Sequence, residues 1–235
     1  MVDETPDPPG AAGAAARISG THFPVTTLGP GRRLGVWFQG CPLACPGCMS
    51  RHTWDPAGGR AVGLPELLDE WRAALAAGAD GLTVSGGEPL SQPVALSRLL
   101  AGAAALRRAA GAGGRPADIL VYTGLTEAEL APEPGLREAL RHADALISGR
   151  YVAAEPTDLV WRGSANQRLR PLTELGRQRY GPHLARTAAG PRVQVAWAPA
   201  GGVLLYGVPG RGELSALERR LRAAGVRLRG PSWRQ

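Results

Sequence analysis

The sequence predicts an α/β fold built on a parallel sheet, and three observations carry that reading. Leu34 to Gln39 is an apolar run of strand length bounded by Gly31 and Gly40. Leu64, Leu67, Leu68, Trp71 and Leu75 then recur at helical spacing over residues 63–77, with Gly78 as a stop signal. Gly81 to Val84 is a second short apolar run. Strand, helix and strand in this order form a right-handed βαβ unit, which places the turns after both strands at the same, carboxyl, edge of the sheet.

The pattern repeats twice. Ser91 is a candidate N-cap with Pro93 in the first turn of a helix reaching about Ala110, followed by a strand from Asp118 to Tyr122. Thr126 caps the next helix, with Glu129 at the capping-box position and Leu125 and Leu130 placed as a hydrophobic staple. A strand from Ala143 to Ile147 then ends in Ser148-Gly149-Arg150, so Thr123 and Arg150 are expected at the same mouth as the earlier turns. For each of them, capping a helix is an equally good reading. Beyond residue 170, Val193, Val195 and Trp197 alternate with Gln194 and Ala196, Pro199-Ala200-Gly201-Gly202 turns the chain, and Val203 to Tyr206 returns it. Leu214, Leu217 and Leu221 share one face of a last helix, giving a C-terminal ββα extension over residues 171–235. Residues 1–16, rich in Ala, Gly and Pro, are expected to be a disordered tail, and residues 17–170 the core domain.

Composition narrows the function. With 235 residues, 44% of them apolar and 20% charged, the chain can bury a core and is neither fibrous nor wholly disordered. Arg107 and Arg108 interrupt the most Ala/Leu-rich run, below the roughly 18 apolar residues of a membrane span. The acidic, proline-rich first ten residues are unlike a secretory leader, so a cytoplasmic location is expected. Every basic residue is Arg, which removes lysine as a base or Schiff-base nucleophile. The net charge of +7 is concentrated at the end, where residues 211–235 hold seven Arg against two Glu. A nucleic-acid or acidic-partner footprint and a solvated helix face both fit that cluster, but no interleaved aromatics form a stacking platform.

The three cysteines stand together as Cys41-Pro-Leu-Ala-Cys45-Pro-Gly-Cys48. An odd number packed so tightly is a poor disulfide framework and a good soft-ligand site. Two sites compete. A four-iron cluster held by three thiolates keeps one iron open to an external chelating molecule. A zinc ion held by the three Cys and His52 would instead be closed and structural. The second motif, Thr83-Val84-Ser85-Gly86-Gly87-Glu88-Pro89, favours the cluster. It reads as a strand-to-helix turn whose glycines permit close backbone approach, and whose carbonyls and Glu88 can accept hydrogen bonds from a ligand ammonium.

At these residues the chain resembles the radical S-adenosylmethionine enzymes. Gly47 before the third Cys, where an aromatic is common in the wider family, is similar to the single-cluster branch that includes anaerobic ribonucleotide reductase activating proteins. Gly29-Pro30-Gly31-Arg32-Arg33, Val36-Trp37-Phe38-Gln39-Gly40-Cys41, Thr53-Trp54-Asp55, Val121-Tyr122-Thr123-Gly124 and Trp161-Arg162-Gly163-Ser164-Ala165-Asn166-Gln167-Arg168 also resemble that branch. The likeness covers roughly residues 17 to 170, with Met49-Ser50 replacing the usual His or aromatic followed by Asn.

The resemblance implies a partial (β/α) TIM-like barrel. It implies that Cys41, Cys45 and Cys48 hold a [4Fe-4S] cluster, and that S-adenosylmethionine is cleaved to a 5′-deoxyadenosyl radical that abstracts a hydrogen atom. Ser85, Gly86, Gly87 and Glu88 are carried over as contacts to the methionine moiety, with Thr123 and Arg150 as candidates for the ribose or carboxylate. The roles of Arg162, Ser164, Asn166 and Gln167 stay open, and a helix cap explains Asn166 equally well. The implied partners are a glycyl-radical protein and a reducing protein such as a flavodoxin or ferredoxin. A stand-alone enzyme acting on a peptide or small molecule is the alternative, and a zinc-stabilised nucleic-acid module is the rival from another class.

Overall fold

The computed structural model describes residues 15–110, 116–197 and 202–228. Nine strands and six helices follow the chain as β1 (Ala15–Val25), β2 (Arg33–Phe38), β3 (Arg60–Gly63), α1 (Leu64–Ala76), β4 (Gly81–Gly86), α2 (Pro93–Ala110), β5 (Asp118–Thr123), α3 (Glu127–Leu130), α4 (Pro134–Ala139), β6 (Ala145–Ser148), β7 (Arg168–Pro171), α5 (Glu174–Tyr180), β8 (Val193–Trp197), β9 (Val203–Gly207) and α6 (Glu213–Ala223). Seven strands form one sheet in the order β3-β1-β2-β4-β5-β6-β7. The four central strands, β2, β4, β5 and β6, are parallel, and β1, β3 and β7 pair antiparallel at the two flanks. The sheet is open, with β3 and β7 as its edges, as a partial barrel requires.

Strand alternation divides the buried residues between the two faces of the sheet. Leu34, Val36 and Phe38 of β2, Leu82 and Val84 of β4, and Ile119 and Val121 of β5 pack with Leu67 and Trp71 of α1 and Leu96, Leu99 and Leu100 of α2 in the main core. The Trp71 indole N–H donates to the Ala103 carbonyl at 3.1 Å, fixing α1 on α2. On the opposite face Leu120, Ala145, Ile147 and Leu169 gather around Tyr180, with Tyr122 and Trp161 against them.

The amino edge of the sheet is closed by a buried ion network. Arg33 and Asp118, both fully buried, open β2 and β5 on either side of Gly81. The Arg33 guanidinium donates to both carboxylate oxygens of Asp118 at 2.7 and 3.1 Å, to Thr83 Oγ1 at 2.6 Å and to the Leu82 carbonyl at 2.8 Å. Tyr180 donates to the same carboxylate, and Arg179 pairs with it at 2.6 Å. Gly81 lacks a side chain where a methyl would collide with the buried Arg33 guanidinium, and a methyl on Gly29 would crowd the same side chain. The Gly29-to-Arg33 motif therefore acts at the edge opposite the cysteines.

Several elements differ from the sequence reading. Strand β1 starts at Ala15, with Ala16 fully buried, so two residues assigned to the tail belong to the sheet; residues 1–14 lie outside the described residues. The helix expected from Ser91 starts at Pro93, because Pro89–Ser91 forms a short 3-10 turn. The helix capped by Thr126 has the expected capping box but breaks into α3 and α4 around Glu133 and Pro134. In the C-terminal extension, β8 and β9 pair only with each other among the described residues. They pack on the core through Tyr206, stacked on His22 and tilted against Trp37, and through Gln194, which donates to the Pro24 carbonyl at 2.8 Å. The Pro199-Ala200-Gly201 turn, Arg229 and Arg234 fall outside the described residues. No described helix is long and apolar enough to cross a membrane.

Candidate cofactor site

The cysteine loop leaves the carboxyl end of β2 and is bonded at its base to the Gly-Gly-Glu-Pro turn. The Gly87 N–H donates to the Phe38 carbonyl at 2.7 Å and the Glu88 N–H to the Gly40 carbonyl at 2.9 Å. The Gly40 N–H in turn donates to the Thr53 carbonyl at 2.8 Å, and the Cys41 N–H to the Trp54 carbonyl at 3.0 Å. Gln39 ties down the far side of the loop, its amide donating to the carbonyls of His52 at 3.1 Å and Asp55 at 2.8 Å. The two motifs thus form one hydrogen-bonded body.

This contact explains the glycines. Gly86 has φ +112°, and a methyl there would collide with the Phe38 backbone. A methyl on Gly87 would collide with the Gly40 carbonyl. The close approach expected toward a ligand is, on that side, an approach of β2 at Gly86 and of the cysteine loop at Gly87.

Glu88 is 2% exposed and joins a third turn to the other two. Its Oε1 accepts from the Leu90 N–H and from the Thr123 hydroxyl, both at 2.9 Å, and its Oε2 accepts from the Gly124 N–H at 2.7 Å. Burial pushes the Glu88 carboxyl above its usual range, opposed by these donors and by the charge of Arg150. Leu43, from the cysteine loop, packs where Gly124 lacks a side chain. Thr123 therefore joins the mouth, as the repeated βαβ pattern predicts. Ser85 lies half-buried in β4, in register with Trp37 of β2.

The three thiols are free and half-buried. Cys48 receives the Ser50 N–H at 3.4 Å, and burial pushes both the Cys41 and the Cys48 thiols up. Gly47 takes φ +78°, with Tyr151 and Ala153 each 3.4 Å from where its Cβ would be. Among the described residues, no three His, Cys, Asp or Glu side chains are gathered tightly enough to enclose a single metal ion. His52, the fourth ligand of the zinc alternative, is exposed. A set of three soft sulfurs on one loop suits a four-iron cluster, with each thiolate on a different iron.

Arg150 is engaged. Its guanidinium forms a bidentate pair with Glu129 at 2.7 and 2.8 Å, which together with Thr126 holds the Glu129 carboxyl down at about 2. The Trp161-to-Arg168 segment wraps the turn after β6. Gln167 Nε2 donates to the Gly149 carbonyl and Asn166 Nδ2 to the Arg150 carbonyl, each at 2.9 Å, and Ser164 Oγ accepts from the Val152 N–H at 3.0 Å. Asn166 is thus not a helix cap, and its Oδ1 is buried without a hydrogen-bond partner among the described residues. Arg162 is buried and donates to the carbonyls of His183 and Leu184, at 3.3 and 2.9 Å. Sequence reasoning missed the anchoring by Gln39 and the packing of Leu43 on Gly124; neither residue type in isolation signals such a role.

Comparison with known proteins gives the family. A family model described as "4Fe-4S single cluster domain" matches residues 27–170, and the chain belongs to that family, a single-cluster branch of the radical S-adenosylmethionine proteins. Its cofactors are accordingly a [4Fe-4S] cluster and S-adenosylmethionine. The chain is 34% identical over 156 residues to the anaerobic ribonucleoside-triphosphate reductase-activating protein of Pasteurella multocida, covering 62% of this chain and 92% of that protein. The protein of the same name from Enterobacteria phage T4 is 30% identical over 143 residues, covering 60% and 85%. Pyruvate formate-lyase 1-activating enzyme of Escherichia coli is 41% identical over 70 residues, covering 28% of each chain.

Proposed function

We propose that this chain activates a glycyl-radical enzyme of the anaerobic ribonucleotide reductase kind. The observation that carries the reading is the bonding of the cysteine loop to the Gly-Gly-Glu-Pro turn, in a chain that spans 92% of an activating protein. When bound, the cluster and S-adenosylmethionine supply an electron and a 5′-deoxyadenosyl radical, which takes a hydrogen atom from a backbone glycine of the partner. Cys41, Cys45 and Cys48 hold three irons. Ser85, Gly86, Gly87 and Glu88 line the methionine side, where Glu88 holds the turns together and lends negative charge toward the ligand ammonium. Thr123 and Arg150 stand on the ribose or carboxylate side, and Asn166 Oδ1 is free to accept from a ligand hydroxyl. A flavodoxin- or ferredoxin-type protein is the electron donor, and the cytoplasm the compartment.

Co-expression with a candidate reductase, reduction with S-adenosylmethionine present and electron paramagnetic resonance test the reading. A glycyl doublet in the partner is expected. Formation of 5′-deoxyadenosine with no radical on any such partner would instead support the stand-alone reading, which the ββα segment beyond the family match, residues 171–235, favours.

A further inference from the structure

Two side chains hold the return limb of the cysteine loop. Arg17 in β1 donates from Nη1 to the carbonyls of Ala57 and Gly58, each at 3.0 Å, and Gln39, just past β2, donates to those of His52 and Asp55. The backbones of both holders are engaged by one further side chain, Gln92. Its Oε1 accepts from the Arg17 N–H, and its Nε2 donates to the carbonyls of Arg17 and Gln39, all three at 2.9 Å. The pattern needs a primary amide, which brings an acceptor and two donors to one point. A Glu there offers acceptors only, and an Asn falls one methylene short.

The place of Gln92 in the chain makes this contact informative. It follows β4 in sequence, and β2 lies between β4 and β1 in the sheet, so the side chain reaches across a strand. The 3-10 turn Pro89–Ser91 joins it to Glu88, with the Ser91 N–H donating to the Glu88 carbonyl at 3.0 Å and the Gln92 N–H to the Pro89 carbonyl at 3.1 Å. A short bonded path therefore runs from the Gly-Gly-Glu-Pro turn, through one amide, to both holders of the cysteine loop.

We propose that Gln92 is a positioning residue that sets the spacing between the cluster on the cysteine loop and the methionine seat at the turn. Backbone bonds from Gly87 and Glu88 attach the loop at its root. Gln92 acts on the return limb instead, through Arg17 and Gln39, and so governs the tilt of the loop rather than its attachment. The inference rests on the cofactor reading above and is independent of which partner receives the radical.

Gln92→Met keeps the approximate volume of the side chain and deletes all three bonds. The reconstituted variant is expected to hold the same iron per chain as the wild type. It is expected to bind S-adenosylmethionine about fivefold more weakly by calorimetry, roughly the scale of one hydrogen bond. The change that S-adenosylmethionine causes in the electron paramagnetic resonance spectrum of the reduced cluster is expected to shrink with it. Unchanged affinity and an unchanged spectral response overturn the proposal, because a purely structural role would lower the melting temperature and leave both alone. A folded variant without iron also overturns it, since Gln92 would then build the loop rather than space it. Should Gln92→Met not fold, Gln92→Glu, which keeps the bond from the Arg17 N–H and loses both donated ones, is measured in the same way with the same outcomes. If that variant does not fold either, the residue is structural and the proposal fails. A wild-type cluster that ignores S-adenosylmethionine is a separate result, which sinks the cofactor reading and this proposal with it.

Discussion

The two edges of the parallel sheet treat polar groups in opposite ways. At the amino edge Arg33, Asp118, Tyr180 and Arg179 gather in a network of opposite charges whose central pair is fully buried, Arg179 entering it as an ion pair with Asp118 although its Nε makes no hydrogen bond among the described residues. At the carboxyl edge the glycines draw the backbone of three turns together, while the three thiols stay half-exposed and Asn166 Oδ1 lacks a partner. The first edge spends its charges on holding β2, β4 and β5 in register. The second is held by backbone hydrogen bonds and the Glu88 carboxylate, which leaves its sulfurs available. If the carboxyl edge holds the cofactors as proposed, stability and cofactor binding are expected to be separable along the strands they share.

Breaking the amino edge has the largest expected effect. Arg33→Met leaves Asp118 buried beside its remaining partners and is expected to cost about 3–5 kcal/mol in denaturant unfolding, with iron loading of the folded protein unchanged. Loss of cluster from that folded fraction would mean that the two edges are coupled. Acid probes the same network. Burial would raise the Asp118 carboxyl, but Arg33, Tyr180 and Arg179 outweigh it and hold it below its usual value. Its contribution is thus complete above the ordinary carboxylate range, and is lost as pH falls below about 4 and through the depressed folded value. In Arg33→Met that part of the acid dependence should shrink.

At the carboxyl edge, Gly87→Ala sets a methyl against the Gly40 carbonyl and is expected to displace the cysteine loop. The variant should cost about 1–3 kcal/mol, in the range of overpacking, and lose most of its iron on reconstitution. Full iron loading would show that loop and turn move independently. The smallest effect is expected from Thr123→Val, which removes one of three hydrogen bonds on Glu88. A loss of about 1 kcal/mol in stability, with a few-fold weaker S-adenosylmethionine binding by calorimetry, is predicted. No change in binding would confine Thr123 to a structural role.

The parallel centre of the fold was legible because its strands are short apolar runs bounded by glycine, and because α1 carries a strong helical period. The flanks were not. β1 contains Gly20 and Pro24, register shifts break its pairing with β2, and its burial does not alternate cleanly. β3 and β7 are four residues each, too short for a pattern to emerge. At the site, residue identities announced the cluster, since three soft ligands at that spacing admit few chemistries. The partners of Glu88 were illegible, because Thr123 and Gly124 reach it only through the pairing of β4 with β5. Arg150 read as a residue of the mouth from its place after a strand, and its bond to Glu129 was illegible because it arises from the return of α3 to the same edge.

The cysteine loop and the turn bonded to it are proposed to form one site for a cluster and its sulfonium partner. Electron paramagnetic resonance of the reduced, anaerobically reconstituted protein tests it most directly, with and without S-adenosylmethionine. The expected result is a cluster spectrum that changes when S-adenosylmethionine is added and is lost in Cys45→Ala. A protein that assembles no iron–sulfur cluster, or a cluster whose spectrum ignores S-adenosylmethionine, would contradict the account.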